Sequence, residues 1–144
     1  MNFQAQSLAQ PLVALLIWTM VMWVWLYATR LPAFGKAKID AFGLVGTTGT
    51  DLDGMLPAKV QWKTHHYNHL LEQPVLFYAV ILLLIVLGYD TPWAPRLAWF
   101  YVATRVAHSI VQVTFNRVFV RFTLFALGSF ALIGLIAIAA VAVF

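Results

Sequence analysis

The chain has 144 residues, of which 62% are hydrophobic and 10% charged, and its mean hydropathy is +0.84. Soluble domains carry roughly 25% charged residues, so a water-soluble globular fold is excluded and one integral membrane domain over residues 1–144 is expected. The net charge of +4 does not signal nucleic acid, because the basic residues are few and confined largely to two loops, and the absence of cysteine excludes disulfides and thiolate metal sites.

The first apolar run, residues 8–28, is close to the ~20 residues that a hydrocarbon core requires. It is uncharged, and Trp23, Trp25 and Tyr27 form an interfacial belt near its end. Arg30 and Pro32 are expected to close it. No basic residue precedes the run and no cleavage-type end follows it, so a cleavable signal is not expected. Residues 30–61 then form one long loop with a Gly-Thr-rich piece at Gly43–Gly54.

The second span, residues 62–87, begins polar with His65, His66, Asn68, His69 and Glu72 and ends purely apolar, with Pro74 expected to kink it. The link Gly88–Pro92 is a tight turn, which makes spans two and three antiparallel neighbours. In the third span, residues 93–115, Arg105, His108, Gln112 and then Asn116 step by three, four and four and fall along one helical face. The fourth, residues 122–144, is apolar throughout, and Gly128, Ser129 and Gly134 suit close helix packing.

The expected fold is therefore an all-α, four-helix membrane bundle. Two loops on one side carry Arg30, Lys36, Lys38, Lys59, Lys63, Arg117 and Arg121, while the opposite side carries Arg96. The positive-inside rule places those loops in the cytoplasm and both termini outside.

Ionisable groups within a span cost about 2.5–3.5 kcal/mol each on insertion scales. The sequence places His65, His69 and Glu72 on one face of helix two, at i, i+4 and i+7, with Asn68 flanking, opposite Arg105, His108 and Gln112. A Glu72–Arg105 pair would lower the cost of both charges. Against a functional reading stands a structural one, in which such side chains serve as interhelical hydrogen bonds of about 0.6 kcal/mol. An interfacial location explains most of what His65 and His66 show. A metal site on His65, His69, Glu72 and His108 has ligand-like spacing, but with four histidines in all no metal is assigned.

Three elements carry a resemblance to a known family. They are Pro57-Ala58-Lys59-Val60, the run Asn68-His69-Leu70-Leu71-Glu72-Gln73-Pro74-Val75-Leu76-Phe77-Tyr78, and Arg105-Val106-Ala107-His108-Ser109 followed by Asn116-Arg117-Val118. Together they resemble the MAPEG family, the membrane-associated proteins in eicosanoid and glutathione metabolism, in the style of its bacterial members. The resemblance covers essentially the whole chain. It implies a homotrimer in a bacterial inner membrane, glutathione bound between subunits near the cytoplasmic face, and a thiolate that attacks a hydrophobic small molecule. Membrane lipids are the surroundings, and nucleic acid is not a partner.

Carried over by position, the resemblance assigns glutathione binding to Arg30, His65, Asn68, His69, Glu72, Arg105, Gln112 and Arg121. His108 stands where the family has a tyrosine near the thiol, and Arg117 or Arg121 where it has an arginine for thiol activation. In helix two the family has an arginine four residues before an asparagine and a glutamate three after it. Counting from Pro57 makes Asn68 the asparagine with Thr64 in place of arginine, whereas counting back from Glu72 makes His69 and His65 the equivalents. His108 and Arg117 are the candidate catalytic residues. The implied activity is glutathione-dependent transfer or peroxide reduction on hydrophobic electrophiles. The alternative is a non-catalytic membrane protein that binds lipid or a small molecule on the same scaffold. A multidrug transporter is disfavoured because the first span has no embedded acid.

Overall fold

The computed structural model describes residues 3–39, 43, 45–46, 50–52, 54–89 and 91–144, without the side chains of residues 3 and 4. Asp40, Asp53 and much of the Gly-Thr-rich piece lie outside them. The described elements are helical: α1 Phe3–Ala37, a 3₁₀ turn at Thr50–Leu52, α2 Ala58–Leu70, α3 Pro74–Leu87, α4 Trp93–Thr114 and α5 Val118–Val143. Three stretches are long and apolar enough to cross a membrane: Ala5–Ala37, Ala58–Leu87 and Val118–Val143. The chain is an integral membrane protein with an all-α bundle fold.

α1 does not close at Arg30 and Pro32 as expected, but continues to Ala37. Pro32 has no N–H for the Ala28 carbonyl, a loss that would end many helices. Here tertiary contacts hold the segment in place. Ala33 is buried with Leu52 and Leu56, against which Phe34, Ile39 and Val60 pack. Arg30 also donates from Nη1 to Thr64 Oγ1 at 3.1 Å, tying α1 to α2. At about 1.5 Å per residue, the 35 residues of α1 exceed a ~30 Å hydrocarbon core, so one end projects beyond it.

The expected kink at Pro74 is a break between two helices. Leu71 to Gln73 form a turn in which Leu71 and Glu72 donate to the carbonyls of Asn68 and His69, and Pro74 opens α3. Proline is pre-set for a first helical turn and leaves the Leu70 carbonyl without its usual donor. Gly88 ends α3 in the left-handed conformation at φ 61°, where a side chain would be strained. α4 ends at Thr114, so Asn116 leaves the helical face predicted for it. It adopts a left-handed conformation at φ 50°, and its side-chain oxygen accepts from Arg121 Nη1.

α4 packs against α1, α2 and α5, while α3 packs against α1 and α5. The core joins Leu8 and Leu15 of α1, Phe77 and Ile81 of α3, Ala98 and Tyr101 of α4, and Leu132 and Leu135 of α5. Outward faces are apolar: Ile17, Val86, Phe122 and Phe130 are all more than half exposed, which only a lipid surround makes inexpensive. α4 and α5 approach closely because Gly128 has no side chain. A Cβ there would meet Thr104 Oγ1 at 2.9 Å, and that hydroxyl is already donating to the Tyr101 carbonyl at 2.7 Å. At Gly134 the neighbour is the flexible tip of Leu97, at 3.0 Å.

Gly128→Leu is therefore expected to cost about 1–3 kcal/mol through overpacking, while Gly134→Ala stays within about 0.5 kcal/mol. Thermal unfolding of the two variants in one detergent checks the contrast; equal midpoints would contradict it.

Candidate functional site

The polar side chains of α2 and α4 meet inside the bundle. Arg105, on the second half of α4, has 1% of its surface exposed, and neither its Nε nor either Nη has a hydrogen-bond partner among the described residues. Its guanidinium carbon lies 5.1 Å from the Tyr101 ring centroid and 5.0 Å from that of Phe125 on α5. Two aromatic faces thus stabilise the cation, each by an amount that reaches about 2 kcal/mol when water is excluded. The Arg105 carbonyl accepts from Ser109 Oγ, and Ser109 Oγ accepts from Trp18 Nε1 at 2.9 Å, which fixes α4 against α1.

One turn further along α4, His108 is buried, with its Nδ1 unpartnered among the described residues. Its ring centroid is 5.9 Å from that of His66 and 5.4 Å from that of His69, so three imidazoles form a cluster. His66 is fully buried, and its Nδ1 lies 3.0 Å from Gln112 Oε1. An amide oxygen only accepts, so Nδ1 carries the proton and the buried, unpartnered Nε2 carries the lone pair. His69 stacks obliquely on Phe125 at 5.5 Å and places Nδ1 3.0 Å from Glu72 Oε2. Below the cluster, Gln73 donates to Ser129 Oγ at 2.9 Å and accepts from Tyr101 Oη at 3.4 Å, which bridges the α2–α3 break to α4 and α5.

The inward face of α2 is thus not the expected one. His66 and Leu70 point inward, whereas His65, Asn68 and Glu72 are exposed and His69 sits at the edge. The expected Glu72–Arg105 pair does not form: the Glu72 side chain is 68% exposed and pairs with His69. The α2 segment is polar on all sides, so periodicity alone does not select its buried face. The signal for His66 is its spacing of four to Leu70 and seven to Gln73, residues that also turn inward.

Of the remaining candidates, Arg30 is bound to Thr64 and also lies 5.5 Å from the Phe34 ring centroid. Gln112 is engaged by His66. Arg121 is half-buried on α5 and joined to Asn116, while Arg117 is exposed at the start of the same helix. Among the described residues no group of three or more His, Cys, Asp or Glu is arranged to hold a metal ion. A separate, largely apolar cavity of about 740 Å³ lies between the projecting end of α1 and the start of α2, lined by Pro32, Ala33, Lys36, Leu56 and Val60.

Gln112→Leu is expected to lower stability by about 1–3 kcal/mol, because it strands the buried His66 Nδ1–H. Thermal unfolding of the variant beside Gln112→Glu, which keeps an acceptor, checks this; equal losses in both would contradict it.

These observations describe a membrane bundle with a buried cation and a histidine cluster near one end. Comparisons with curated proteins and with solved structures each returned no match. The MAPEG family model matches residues 8–141, almost the full length and every element of the cluster. The chain belongs to the MAPEG family.

Proposed function

We propose that this protein is a glutathione-dependent transferase or peroxidase for hydrophobic electrophiles, working as a homotrimer. Membership of a family of eicosanoid and glutathione metabolism supports the general class. The observation that carries the specific reading is Arg105, a buried guanidinium whose three nitrogens have no hydrogen-bond partner among the described residues. A buried charge of this kind is stabilised by an anion, and glutathione offers two carboxylates and an ionisable thiol. The residue types around it fit that ligand: Arg30 and Arg121 are further cations, and Glu72 is an exposed carboxylate suited to the ligand's amine.

In this reading Arg30, His65, Asn68, His69, Glu72, Arg105, Gln112 and Arg121 form the glutathione-binding region. Gln112 acts through His66, while His108 and Arg117 stabilise the thiolate. The exposure of Asn68 and Glu72 fits a site shared between subunits, since they face away from their own bundle. A cationic surrounding favours the thiolate, which is the attacking species. The electrophile enters from the bilayer, and the cavity beside α1 has a volume within the ordinary range for small-molecule sites.

In the membrane, α4 also crosses, as the third of four spans. Its 22 residues suffice for about 33 Å, and its polar groups are turned towards the other helices. The basic loops are cytoplasmic and both termini are outside. A bacterial inner membrane is the proposed location.

Calorimetry on the purified protein in detergent, with thiolate absorbance followed in the same sample, tests the function. Saturable binding with thiolate formation is expected, and Arg105→Met is expected to weaken binding about 30-fold or more. No binding at millimolar glutathione would leave the alternative, a lipid- or small-molecule-binding scaffold. Orientation is tested separately. A cysteine introduced at Lys59 would be unique in the chain and should react with an impermeant thiol reagent only from the cytoplasmic side.

A further inference from the structure

Of the three clustered imidazoles, His69 alone is seen with a carboxylate partner among the described residues. His66 is joined to the neutral amide of Gln112, and His108 Nδ1 has no partner. His69 Nδ1 lies 3.0 Å from Glu72 Oε2. A carboxylate accepts, so Nδ1 carries the proton and Nε2 presents a lone pair. The His69 side chain is also 27% exposed, unlike buried His66 and His108, so it can be reached from outside the bundle. It shares the Phe125 ring with Arg105, at 5.5 Å and 5.0 Å respectively. A base and a cation therefore lie on the same aromatic residue, near the edge of the cluster.

From this arrangement we infer that His69 is the general base for the thiol, with Glu72 as its positioning residue. The inference rests on the proposed use of glutathione and deepens it. In the step, the S–H bond breaks, the proton passes to His69 Nε2, and the electron pair stays on sulfur as the thiolate. No oxidant or reductant takes part. The Glu72 carboxylate stabilises the imidazolium that forms, and the Arg105 guanidinium adds its charge to the cationic surroundings in which His108 and Arg117 stabilise the thiolate. When the thiolate adds to an electrophile, the imidazolium returns the proton to the adduct or leaving group. The other titratable and charged groups around the cluster are His66 on α2, Arg105 and His108 on α4, and Arg121 on α5. None of these is a carboxylate, so among the described residues Glu72 is the acidic group beside the imidazoles.

The test uses the full-length protein in detergent with reduced glutathione as the probe. Binding is read by calorimetry and thiolate absorbance is read across a pH series. Three proteins are compared: the unaltered chain, His69→Gln and Glu72→Gln. At a fixed pH near neutral, His69→Gln is expected to keep measurable binding but to form about tenfold less thiolate, its profile displaced to higher pH. Glu72→Gln should displace the profile in the same direction by less. Glu72 is exposed, so that variant does not threaten folding and keeps the assay informative if His69→Gln is unstable. An unchanged thiolate profile in a variant that binds would overturn the dyad and leave the glutathione reading intact. Failure of the unaltered protein to bind would overturn the glutathione reading itself, and the dyad with it.

Discussion

A guanidinium in the middle of an apolar bundle is the constraint on which the rest depends. A guanidinium is a permanent cation, and lipid offers it no partner. α4 must therefore turn that side towards the other helices, and α1, α2 and α5 pack around it. Tyr101 and Phe125 give it two ring faces, and the Trp18–Ser109 hydrogen bond holds α4 against α1. Because the polar face is covered by protein, the remaining surfaces of α1, α3 and α5 are left apolar for lipid. Gly128 completes the arrangement by letting α5 approach Thr104, which brings Phe125 over the cation.

The α2–α3 break distributes the other polar groups. A continuous helix would carry one face without interruption from His66 to Phe77. The turn at Leu71–Gln73 instead releases Glu72 outward to His69, while Gln73 reaches Tyr101 and Ser129. The result is a buried, neutral portion formed by His66 and Gln112 and an accessible, ionisable portion formed by His69 and Glu72. The two portions meet at His108.

The sequence alone determined the all-α membrane class, because hydropathy and charge content leave a chain of this length no soluble solution. It determined the polar face of α4, since Arg105, His108 and Gln112 recur at helical spacing within an apolar helix. The turn at Gly88 and the close packing at Gly128 were legible for similar reasons: each needs a residue without a side chain. Three features were decided by tertiary structure. The continuation of α1 through Pro32 depends on Ala33, Phe34 and Ile39 packing on Leu52, Leu56 and Val60, residues distant in sequence that compensate for the lost hydrogen bond. The inward face of α2 depends on what α4 presents, because a segment polar all round carries no periodic signal. The partner of Glu72 depends on where the helix breaks, and pairing by charge alone pointed to Arg105 when the turn had already turned the carboxylate away towards His69.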